Sequence, residues 1–144
     1  MMELISKNVK AKELRNAKLL IHSACLADEY PEILSRFSKD HIPLSVCLEE
    51  LHINKIGFKL NNILHLSKIR EVDILTMDGS PHCIQLHFLG EHLTRSLNVK
   101  IPISHYVVEK GTVYKVSVKA IRLARHLSMC MRLLNEVGVD IDNS

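Results

Sequence analysis

Val72-Asp73-Ile74-Leu75-Thr76-Met77-Asp78-Gly79-Ser80-Pro81-His82-Cys83 is the stretch whose reading decides the fold. Val72 to Met77 is an apolar run that reads as a buried strand. A helix follows, from Ile84 to about Leu97. Ser80 suits the N-cap and Pro81 the first helical position. Asp78-Gly79 reads as a turn, and Asp78, at the strand end, is also placed to orient a histidine. Cys83 falls in the first helical turn, where unpaired N–H groups and the helix dipole favour an anion. A thiol there loses its proton more easily, which makes it a better nucleophile and a better metal ligand.

The same strand-then-helix grammar extends outward. Lys18 to His22 reads as a strand running into Ser23-Ala24-Cys25, and Tyr30 to Asp40 as a helix with Pro31 in its first turn. Ile42 to Val46 reads as a second short strand ending at Cys47. Ile56, Leu60, Ile63, Leu64 and Ile69 have helical spacing over Ile56 to Arg70. Ile101 to Val108 and Thr112 to Val118 flank Glu109-Lys110-Gly111, a hairpin signal. Ser117 caps a final helix to about Val137, with a stripe of Ile121, Ala124, Leu127, Met131 and Leu134, and Gly138 suits its C-cap. This order predicts a single three-layer α/β domain over residues 1–144. Its sheet is mainly parallel, with helices on both faces and a C-terminal β-hairpin plus helix. Residues 1–17 form a charged leading segment and residues 139–144 an acidic tail.

The 144 residues are 47% hydrophobic, enough for a core, but three Phe, three Tyr and no Trp leave aliphatic side chains to fill it. A net charge of +3 is too small to imply nucleic acid or a membrane surface as partner. The N-terminal segment is too charged for a signal peptide, and no apolar run approaches the ~20 residues a membrane span needs. A cytoplasmic protein is expected, whose four cysteines are free thiols or ligands rather than disulfides.

Cys25, Cys47 and Cys83 each follow a predicted strand. In a parallel sheet all three lie at the carboxyl edge, where ligands bind, so residues distant in sequence can converge. Cys83 and His87 are four apart on one helix face and aim at a common point, and His22 brackets the first loop with Cys25. Cys25, Cys47 and Cys83 with His87 or His22 make a donor set for zinc or an iron–sulfur cluster. Cys83 as nucleophile, with His87 or His82 as base and Asp78 as orienting group, makes a catalytic set. Ser80, His82 and Cys83 at the helix start make an anion site. Against these stands plain packing, since cysteine is among the most buried residue types, and Cys130 reads as a small core residue. No Cys-x-x-Cys and no Gly-rich phosphate loop occurs. Ile84-Gln85-Leu86 after Cys83 matches no phosphatase or rhodanese loop. His41, His52, His92 and His105 have no evident partner in the sequence.

Asp78-Gly79-Ser80-Pro81-His82-Cys83-Ile84-Gln85-Leu86-His87 resembles a string in a group of small uncharacterised proteins of anaerobic prokaryotes. Ser104 to Val108, followed by Ala124-Arg125-His126-Leu127, is similar to the end of the same group. Some of that group occur in iron–sulfur contexts, so the resemblance implies a cluster or redox role with a redox protein as partner. Without a ferredoxin-type cysteine run, a cluster here is not held in the ferredoxin manner. The leading expectation is a metal- or iron–sulfur-binding protein with a redox or sulfur-related role. A thiol enzyme or sulfur carrier using Cys83, and a non-catalytic protein binding a small anion or partner, are the alternatives.

Overall fold

The computed structural model describes residues 1–96 and 100–138. Five strands form one sheet in the order β2-β1-β3-β4-β5. They are β1 (Lys18–Ser23), β2 (Ile42–Val46), β3 (Glu71–Met77), β4 (Ile103–Glu109) and β5 (Thr112–Val116). The first four are parallel and β5 returns antiparallel to β4. The interior strand β1 is buried along nearly its whole length, as expected of a parallel strand covered on both faces.

The pleat sorts the core into two layers. Leu19, Ile21, Val72 and Ile74 pack under α3 (Ile53–Leu66) and α4 (Cys83–Ser96), against Ile56, Leu60, Ile63 and Leu86. Leu20, Leu75 and Val108 pack on the opposite face against Leu26 of α1 (Leu26–Glu29) and Ile33 of α2 (Pro31–Phe37). The leading segment is tied down rather than loose. It carries a short 3-10 turn at Lys12–Leu14, Leu4 and Leu14 are fully buried, and Leu4 N–H donates to the Ser45 carbonyl at 2.9 Å.

Local chemistry accounts for the turns. Ser80 Oγ accepts from Cys83 N–H at 3.1 Å, the bond an N-cap makes to the third helical residue. Gly79 before it holds φ +82°, a conformation open to glycine. Lys110 and Gly111, both at positive φ, join β4 to β5 in a two-residue hairpin turn.

The C-terminal helix departs from expectation. It is two helices, α5 (Val118–Ala124) and α6 (Leu127–Val137), because His126 leaves helical geometry at φ −114°, ψ 84°. The free carbonyls at the break are satisfied locally. His126 Nδ1–H donates to the Arg122 carbonyl at 2.6 Å and the Cys130 thiol to that of Leu123 at 3.1 Å. Cys130 is therefore a partly buried junction residue, not a core one. The expected helix end at Leu97 and the acidic tail lie outside the described residues.

Candidate functional site

The chain leaves β1 for β2 on one side and returns to β3 on the other, so the loops after β1 and β3 diverge at the carboxyl edge. Cys25 follows β1, Cys47 follows β2, and Cys83 opens α4 after β3. All three line one small cavity of about 110 Å³, together with Ser23, Ser80, His82 and Leu86. That is room for roughly four waters' share of liquid volume. Burial pushes the Cys25 thiol up, and the nearby thiolates of Cys83 and Cys47 push the same way. Ser23 Oγ, buried and without a well-formed hydrogen bond, leans on that thiol and pulls it back.

The histidines are distributed differently from the expected shell. His87 does not turn toward Cys83. Its Nε2 is 2.8 Å from Thr76 Oγ1 and its Nδ1 is 2.9 Å from His105 Nδ1, under the helix. His22 is fully buried inside the sheet, with Nδ1 3.0 Å from the Ser23 carbonyl, and does not line the cavity. His82 lines it instead. Pro81 and His82 precede regular α4, so the His82 side chain leaves from the turn. Asp78 faces a second cavity with Ser80 and His87, and no hydrogen bond joins its carboxylate to a histidine among the described residues.

Thr76, His87, His105 and Glu91 form a buried polar group that sequence spacing alone does not assemble. β4 alternation places His105 on the same face as Ile103, and pairing with Ile74 sets it beneath α4. Glu91 Oε1 accepts from Arg122 Nε at 2.9 Å and pairs with Arg95 Nε at 2.9 Å, while its Oε2 meets Arg125 Nη2 at 3.2 Å. Burial by itself pushes Glu91 up. The Arg122 hydrogen bond and the charges of Arg95, Arg125 and Arg122 outweigh it, and the carboxyl sits below its usual value.

This carboxylate fastens α5 and the break after it to α4. Glu91→Gln is expected to lower stability by roughly 2 kcal/mol, less than for a sealed pair because Arg95 and Arg122 can rehydrate. Urea denaturation and amide exchange in α5 measure it. The carboxylate's contribution is present above its ordinary value near 4.5 and lost as the pH falls through its lowered folded value.

At the opposite, amino edge, His41 Nε2 lies 3.4 Å from Glu71 and 3.3 Å from Asp73. Among the described residues this is the one trio of ligand atoms all within 4.8 Å of one another. The three cysteine sulfurs therefore stand wider apart than the shell of a single tetrahedral ion, where thiolates sit ~2.3 Å from the metal.

A mostly parallel five-stranded sheet whose order reverses between β1 and β3 defines a doubly wound α/β protein. The model of a Rossmann-like domain matches residues 11–137, and the chain belongs to that family. No curated protein and no solved structure matches the chain. The fold does not by itself carry a dinucleotide, because Ser23-Ala24-Cys25-Leu26 stands where a Gly-rich phosphate loop would follow β1.

Among the described residues no helix is long and apolar enough to cross a membrane.

Proposed function

We propose that the chain binds a metal centre at the carboxyl edge, an iron–sulfur cluster in preference to a single zinc ion, for redox or sulfur-related work. One observation supports this above the others: thiols from three separate strand-end loops line the same small cavity. Soft thiolates select zinc and iron–sulfur centres, and a spacing wider than one ion's shell favours the polynuclear choice. Cys25, Cys47 and Cys83 are the proposed ligands, with His82, which lines the same cavity, as the fourth.

A bound cluster would supply one-electron transfer. The chain's own part is positional. The Ser80 cap fixes where Cys83 leaves α4, and the positive end of that helix offsets thiolate charge. Cys25 stands at the N-cap of the short α1.

Anaerobically prepared protein is expected to carry iron and sulfide and to show broad visible absorbance. Single Cys25→Ser, Cys47→Ser and Cys83→Ser variants are each expected to lose most of it, while Cys130→Ser keeps it. Colourless protein without metal after anaerobic reconstitution with iron and sulfide overturns the reading. Stoichiometric zinc without iron corrects it to a mononuclear centre.

A further inference from the structure

On the other side of the Ser80 turn lies a larger cavity of about 350 Å³, between the ends of β3 and β4, α4 and α5. Its walls are largely apolar, from Ile84, Phe88, Val107 and Ile121. Its polar floor is Thr76 and His87, which are 1% and 3% exposed. A volume of this size with few polar groups is the usual form of a small-molecule site.

The polar floor has one valence to spare. Thr76 Oγ1 and His87 Nε2 share one proton, and His87 Nδ1 and His105 Nδ1 share another. Both contacts are satisfied by two tautomeric arrangements. If His105 donates to His87, then His87 donates to Thr76, and the Thr76 hydroxyl proton is free for a ligand. If the chain runs the other way, Thr76 donates to His87 and its oxygen is free to accept. Burial, first, and the neighbouring His105 push His87 down to about 3, so the imidazole is neutral at ordinary pH. Burial likewise pushes His105 down to about 4, with Glu91 acting in the opposite direction. Neither ring offers a charge to the cavity.

We propose that this second cavity binds a small uncharged organic molecule, with an apolar body and one carbonyl or hydroxyl head held by Thr76. The site is independent of any metal at the cysteines, although the Gly79-Ser80 turn borders it. Asp78 stands at the same turn and lines the cavity too, so a cationic ligand is the competing case.

The test titrates the full-length protein with benzamide, benzoate and benzylamine, followed by amide chemical shifts of Thr76 and Ile121. Benzamide is expected to saturate in the low-millimolar range, with the two charged analogues weaker by at least about tenfold, because a charge loses its hydration on entry. Thr76→Val should weaken benzamide about fivefold and leave ethylbenzene unchanged, which a merely structural role for the hydroxyl would not do. Ala120→Phe and Ala124→Phe, at outward α5 positions on the cavity wall, are expected to abolish binding without unfolding the protein. Absence of saturable shifts overturns the proposal. So does preference for benzylamine, or undiminished benzamide binding in both phenylalanine variants.

Discussion

Between pH 6.5 and 4.5 the metal-free protein is expected to lose roughly 5 kcal/mol of stability, a large part of what a domain of this size has. His87 and His105 are the cause. In the unfolded chain each takes up a proton near 6.5, whereas in the fold burial holds them down to about 3 and about 4. The native state keeps both neutral because burial opposes a cation in the core, and a second proton on the pair would face the first across the Nδ1 contact. Below 6.5 the unfolded state therefore binds protons that the folded state refuses. Stability is whole above that value and falls as the pH drops toward the folded values. Each histidine contributes about 1.4 kcal/mol per pH unit in this window. His22, lowered by burial, adds to the same slope. Glu91 and Glu13, both lowered, titrate below their ordinary 4.5, while Asp73, raised by burial, offsets part of the loss. Urea midpoints at pH 7, 5.5 and 4.5 measure the loss. In His87→Phe/His105→Phe protein the midpoint should vary much less over the same range, whatever its absolute value. A wild-type midpoint that holds steady to pH 4.5 would show that the two rings are not sealed.

The parts of this molecule that local chemistry dictates are the parts the sequence makes legible. The β3–turn–α4 unit follows from an apolar run and the Ser80-Pro81 cap, and the hairpin from Lys110-Gly111. Placing Cys25, Cys47 and Cys83 at one edge needs only the rule that successive parallel strands point the same way. Features set by distant partners are hidden. The stripe from Ile121 through Leu127 continues past His126, and nothing local marks the break. In the fold, Glu91 draws Arg122 and Arg125 onto α4 while the chain turns away. On a helical wheel His87 shares the face of Cys83 and reads as a ligand. Its ring goes to His105 instead, an alternative visible only once β4 is registered beside β3. The one signal of that meeting in the sequence is Gly90, a glycine inside a helix.

Gly90→Ala is expected to destabilise the protein by roughly 2 kcal/mol, although the same change at an exposed helical site stabilises by up to ~1 kcal/mol. A Cβ at position 90 would lie 2.5 Å from Ile74 Cδ1 and 2.9 Å from His105 Cε1. Neither neighbour yields readily. Ile74 is 1% exposed in the β3 core layer, and the His105 ring is held through its bond to His87. α4 rests on β3 and β4 at this depth because position 90 has no side chain. Larger residues such as Val or Leu are expected to prevent folding, by forcing the helix off the sheet. A double-mutant cycle separates the two contacts. Ile74→Val removes the nearer methyl and alone costs about 1 kcal/mol. In that background Gly90→Ala should cost about 1 kcal/mol less than in the wild type. The remainder belongs to His105, and it has its own signature. A methyl that displaces this ring opens it to solvent and raises its folded value, so the acid loss between pH 6.5 and 4.5 becomes shallower in Gly90→Ala protein. If Ala at position 90 proves neutral or stabilising, the helix does not sit this close, and the buried histidine contact beneath it fails with it.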